Sequence, residues 1–197
     1  MVTRDDANTG VWPAILTWRS HDVSRVESTR VQLSGNRIKA TGRIASAASG
    51  QHPAFSASYD LVTDDSGATK RLSLDVSTAE RDRQLSIARD EENMWLITDH
   101  EGESRAGYGG AVDVDMVLSP FFNALPIRRV GVHSSTETIT VPVVYVNLPD
   151  LTIREAEITY TGSGGGAIEL KSPVAETTVI VDDNGFVIDY PGLAERI

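Results

Sequence analysis

The chain has no cysteine among its 197 residues. That absence excludes a disulfide framework, a thiolate metal site and a cysteine nucleophile together. No apolar run approaches the roughly 18 residues of a membrane span, so stable membrane insertion is not expected. The four histidines, His21, His52, His100 and His133, lie far apart with no H-x-x-x-H spacing. They give no support to a metal centre, and nothing else calls for a cofactor. Positive charge is scarce: 18 Lys and Arg stand against 28 Asp and Glu, a formal net charge of -10. General electrostatics therefore disfavour nucleic acid and anionic membranes as partners. The G-x-S-x-G elbow of one serine-hydrolase class is also missing. Gly107-Tyr108-Gly109-Gly110 fails as a phosphate loop because it precedes a predicted strand and not a helix. The polar N-terminus, with Arg4, Asp5 and Asp6 where a signal peptide needs apolar residues, predicts a cytoplasmic location.

What the chain does have is alternation. A hydrophobic fraction of 40% is enough for one sizeable core. Residues 1–10 read as a flexible tail and 11–197 as a single domain. From Ile15 onward, apolar residues recur at every second position between turn signals. Val31 and Leu33 lead into Gly35-Asn36, and Ile38, Ala40, Gly42 and Ile44 follow on one face. Phe55 to Leu61 and Leu72 to Val76 alternate likewise, and Leu85 and Ile87 pair with Trp95 and Ile97 across a turn at 91–93. Residues 99–110 read as a polar loop. The run Ile139–Leu148 is apolar on both faces, which requires cover on both sides or a cavity on one. Pro142 within it belongs at an edge or bulge. A phase shift between Ile153 and Ala156 suggests another bulge, and Asp183-Asn184-Gly185 signals a hairpin. The pattern predicts an all-β, single-domain protein: a long antiparallel meander of a dozen or more strands, curled into a roll or partly open barrel.

One stretch departs from this pattern, Asp113 to Val130, DVDMVLSPFFNALPIRRV. On a strand, Asp113 and Asp115 share one side, and Val114, Met116 and Leu118 the other. Ser119-Pro120 ends that strand. Phe121 and Phe122 either cap the core or meet a ligand, and a short helical turn fits near 117–124. Pro126 then opens a second predicted strand, on which Arg128 and Arg129 face opposite sides. An arginine turned inward needs a carboxylate, and Asp113 or Asp115 is the candidate. The pair either fixes strand register or leaves the arginine free to hold an anionic or sugar head group.

The run DVD…SPFFNALPIRR resembles the signature of a bacterial family described as glycolipid-binding. The ending supports this: Val181-Asp182, Gly185-Phe186-Val187, Asp189-Tyr190-Pro191-Gly192-Leu193 and Arg196 follow that family's closing pattern. Weaker matches include Trp18, Glu27, Tyr59, Asp64, Arg71 and Trp95. The chain departs from the family pattern at Ala111 or Val112, where a cysteine is expected, and at Phe122 and Ala124 in place of threonines. The resemblance implies a spiral antiparallel roll with an apolar interior, similar in fold to carriers of lipoproteins and lipids.

The first functional expectation is a non-enzymatic binder or carrier of a lipid or glycolipid. Its tail would lie against Phe121, Phe122 and the Ile139–Leu148 run. Its head group would meet Asp113, Asp115, Asn123, Arg128 or Arg129, with Trp95, Tyr145 and Tyr190 as further contacts or stacking platforms. The alternatives are a metabolic enzyme using Asp113 or Asp115 as base, and a structural or interaction module whose motif holds the roll shut.

Overall fold

The computed structural model describes residues 12–197. The tail expected over residues 1–10 lies outside them. Eight strands open the fold: β1 (Ala14–Ser20), β2 (Arg25–Ser34), β3 (Arg37–Ser46), β4 (Phe55–Thr63), β5 (Thr69–Thr78), β6 (Asp82–Arg89), β7 (Trp95–Asp99) and β8 (Gly102–Ala106). A short strand β9 (Asp113–Met116) and the helix α1 (Ala124–Val130) come next. The chain closes with β10 (Thr138–Val146), β11 (Ile153–Gly162), β12 (Ala167–Lys171), β13 (Glu176–Val181), β14 (Val187–Tyr190) and β15 (Ala194–Arg196).

All fifteen strands form one sheet, in the order β8-β7-β6-β5-β4-β3-β2-β1-β15-β14-β13-β12-β11-β10-β9. Two sequential meanders thus join where β1 pairs with β15. The sheet curls into a β-roll and does not close into a barrel. Period-two sequence becomes period-two burial along most strands, as in β3, whose inward Ile38, Ala40, Gly42, Ile44 and Ser46 alternate with exposed residues. A large cluster fills the inside of β1–β7 and includes Trp18, Leu61, Leu72 and Ile87. A second, around Ile158, Tyr160, Ile168 and Val179, lies under β10–β14. β10 divides them, with Val144 and Val146 in the first cluster and Val143 and Tyr145 in the second, so the run that was apolar on both faces is covered on both.

Four local expectations are corrected. Ala124–Val130 is a helix and not a strand. Pro126 sits in its first turn, where no intrahelical N–H is needed. Gly131 ends it at φ +71, donating its N–H to the carbonyls of Arg128 and Ile127. Arg128 and Arg129 are therefore about 100° apart around a helix rather than on opposite faces of a strand. Second, β9 pairs with β10 in parallel, because the connection through α1 is long enough to bring the chain back in the same direction. Third, residues 102–106 of the expected loop form the edge strand β8, opposite β7. Fourth, β11 carries no bulge against β10, and their register is unbroken from Ile153 to Thr161.

Candidate functional site

The parallel register places Asp113 opposite Val143 and Asp115 opposite Tyr145. Both aspartates therefore point toward the second cluster, while Val114 and Met116 join the first. All four side chains of β9 are buried, which leaves the two carboxyls under an apolar sheet.

Each carboxyl has a different partner. Arg129 donates Nε and Nη2 to Asp113 Oδ2 at 2.9 and 2.6 Å, so the pairing expected of one aspartate is made by Asp113. Burial pushes the Asp113 carboxyl above the usual carboxylate range, and the Arg129 hydrogen bond and charge offset part of that. Among the described residues Asp115 has no arginine partner. Asn123, the residue preceding α1, donates Nδ2 to Asp115 Oδ1 at 2.9 Å. Burial pushes Asp115 up to about 7, against the Met116 backbone and Asn123 hydrogen bonds that lower it, and with the Asp113 charge adding to the rise.

Asp115 and Asn123 line a half-open cleft of about 350 Å³. The walls are the turn Met116–Ser119, Tyr145 of β10, Leu170, the loop residues Ser172, Val174 and Ala175, and Tyr190 to Leu193. The apolar lining residues include Met116, Val117, Leu118, Leu193 and Val174, and Val174 is 65% exposed. The polar lining residues include Asp115, Asn123 and the two tyrosines. Burial pushes the Tyr190 hydroxyl up to about 12 and Tyr145 higher still, so both stay protonated donors at neutral pH. Leu118 adopts φ +73, a conformation that side-chain-bearing residues rarely hold, at the cleft's lip.

Of the residues predicted from sequence, Asp115, Asn123, Tyr145 and Tyr190 come together in this cleft. Asp113 and Arg129 lie beside it as an ion pair. Phe121 and Phe122 are fully buried in the first core cluster, packed on Tyr59 at centroid distances of 5.9 and 5.1 Å. Trp95 is buried as well, donating Nε1 to the Ala111 carbonyl at 2.8 Å. Arg128 turns toward the hairpin after β13, bonding the Asn184 carbonyl and stacking its guanidinium 5.2 Å from the Phe186 ring centroid. None of these four aromatic or cationic groups lines the cleft.

Sequence reasoning placed Glu27 among the weaker family matches and gave it no role at the site. It lies on β2, 2% exposed, and takes Ser119 Oγ on both carboxylate oxygens at 2.7 and 2.9 Å and Tyr59 OH on Oε1 at 2.6 Å. Burial pushes Glu27 up to about 7, against these hydrogen bonds. Since Ser119 lines the cleft, Glu27 anchors its lip from behind. The signal was present: Arg25, Glu27 and Thr29 share the buried phase of Val31, a polar row where alternation demands apolar residues. Among the described residues no cluster of His, Asp and Glu forms a metal site, and no helix is long and apolar enough to cross a membrane.

The model of the family described as "Putative glycolipid-binding" matches residues 15–196. The chain belongs to that family. This glycolipid-binding family match covers both the DVD run and the closing motif. A solved structure with a similar fold is that of a DUF1089 family protein from Pseudomonas aeruginosa, 24% identical, covering 99% of this chain and 100% of that one, with a TM-score of 0.71. That likeness supports the roll as a fold. No curated protein matches the sequence.

Proposed function

We propose that the protein is a non-enzymatic binder of an amphiphile, a lipid or glycolipid, and that it holds the ligand in the cleft between the Met116–Ser119 turn and the Tyr190–Leu193 segment. The observation that carries this reading is the mixed lining: apolar residues, among them the largely exposed Val174, share the cleft with the buried polar pair Asp115 and Asn123. A cleft of that kind matches a molecule with an apolar end and a hydrogen-bonding end. The family description agrees with a binding role. At about 350 Å³ the cleft takes a head group and the first part of a chain rather than a whole lipid. The rest of the tail would lie along the rim. The core aromatics Phe121 and Phe122 take no part, because the interior of the roll is filled by the protein's own side chains.

Native mass spectrometry of protein purified from its own host, followed by denaturing lipid extraction, tests this reading. A discrete adduct that extracts as an amphiphile and disappears in a Leu193→Asp variant is expected. A clean apo mass, together with no binding of added alkyl ligands, would overturn it.

The Asp115 carboxyl, with its pKa near 7 in an open cleft, favours a second reading in which it serves as a general base on a bound metabolite. Turnover by the wild type that Asp115→Asn abolishes would favour that reading over binding alone.

A further inference from the structure

Both arginines of the DVD…IRR run are committed elsewhere, Arg129 to Asp113 and Arg128 to the Asn184 carbonyl and Phe186 ring. Among the described residues no lysine, arginine or histidine lines the cleft, and the single formally charged lining group is Asp115. Asp113, two residues earlier on β9 and on the same face, adds a second carboxyl nearby. Asn123 spends its donor on Asp115 and leaves its own Oδ1 buried with no partner. The polar lining is thus rich in acceptors and poor in positive charge.

We infer that the cleft selects head groups that carry hydrogen-bond donors and no negative charge, and that Asp115, oriented by Asn123, makes the selection. The inference rests on the amphiphile reading above and narrows it. A phosphate or sulfate head would bring its charge against a buried carboxyl with no cation among the described lining residues to offset it, and like charges so placed strongly oppose association. A sugar hydroxyl or an ammonium group instead supplies the donors that a carboxylate accepts. Both offer the same chemistry to Asp115, and experiment separates them. The arginine-held anionic head group, one of the options open from the sequence, is replaced by its opposite.

The test is calorimetric titration of the full-length protein at pH 8 with three octyl compounds below their micelle concentrations: octyl glucoside, octylammonium and octyl sulfate. Wild type is expected to bind the glucoside, the ammonium compound or both at least about tenfold more tightly than the sulfate. Preference between the first two assigns the donor as hydroxyl or cation. In Asp115→Asn the gap to the sulfate should shrink severalfold. Equal or tighter binding of octyl sulfate by wild type would overturn the head-group inference while leaving the amphiphile reading in place. Failure of all three to bind would overturn both.

Discussion

Arg129 places both of its hydrogen bonds on one oxygen of Asp113, Oδ2, and Asp113 Oδ1 is left buried with no partner. The pair joins the last turn of α1 to β9, with Asp113 fully buried and the arginine side chain 22% exposed. Removing the arginine strands a buried carboxyl. Arg129→Ala should lower stability by about 3 kcal/mol at pH 8 in urea denaturation. The loss should be smaller at pH 5, where the carboxyl, its pKa raised further without the guanidinium, takes up a proton. Octyl-ligand affinity per folded molecule should stay within about twofold of wild type in Arg128→Ala, since that side chain is turned away from the cleft. A larger loss there would assign Arg128 to the site.

The pH dependence of stability carries the signature of Asp115. Its folded pKa of about 7 lies above the ordinary carboxylate value, so between the two the native state holds a proton that the unfolded chain has lost. The contribution is full below the unfolded pKa and fades as pH rises through about 7. Asp115→Asn should flatten the fall in Tm between pH 5 and pH 8. Glu27 contributes a second slope of the same sign that the variant keeps. An unchanged profile would mean Asp115 is ionised throughout.

Ser119 holds Glu27 with its hydroxyl and lines the cleft. Ser119→Ala removes a donor from a buried carboxylate and should cost about 1–3 kcal/mol of stability at pH 8. The same loss should raise the Glu27 pKa, so the penalty is expected to shrink below pH 6. Isotope-edited NMR titration of the glutamate side chains would read the shift directly.

Gly42 lies between two residues that bond across it. It is opposite Thr29 on β2 and Tyr59 on β4, and the Tyr59 ring crosses it to put its hydroxyl 2.6 Å from Thr29 Oγ1. A Cβ at Gly42 would collide with the Tyr59 ring at Cζ. Gly42→Ala should destabilise by about 3 kcal/mol, at the upper end of overpacking costs. Combined with Tyr59→Ala, it should cost far less than the sum of the single changes. Additive losses would show that the ring moves aside freely.

Val174 lines the cleft and is largely exposed. Val174→Asp should leave stability within about 0.5 kcal/mol of wild type. It should weaken octyl glucoside binding severalfold, because it sets a charge where the alkyl chain leaves the cleft. Unchanged affinity would place the chain elsewhere.

Most strands were legible because an antiparallel sheet with one wet face writes its geometry as a period of two, as in Leu72, Leu74 and Val76. β8 escaped that reading because GESRA is exposed on both faces and has no apolar phase. α1 escaped because it is seven residues long and buries Ala124, Leu125, Pro126 and Ile127 together, so it shows no amphipathic period, and its proline fits a strand start equally well. The parallel pairing of β9 depends on where the chain returns after α1, which no local pattern records. The aspartates, Asn123, Tyr145 and Tyr190 could be singled out by type and spacing. The roles of Phe121, Phe122, Trp95 and Arg128 could not, since a bulky aromatic in a connecting segment looks the same whether it fills a core or meets a ligand.

β8 and β9 are neighbours in the sequence and stand at opposite ends of the sheet, while the first and last strands meet in its interior. Their seam has three residue pairs, Trp18 with Arg196, Arg19 with Glu195 and Ser20 with Ala194, and the Trp18 Nε1 bond to the Val187 carbonyl at 2.8 Å reinforces it. Each meander closes short loops, whereas the seam closes nearly the whole chain, so sewing it is the costliest step in chain entropy. Apart from Gln51, every residue lining the cleft belongs to the second meander. The cleft is thus the product of one arm of the molecule. The other arm serves as its backing plate, reaching through Glu27 to hold the lip in place.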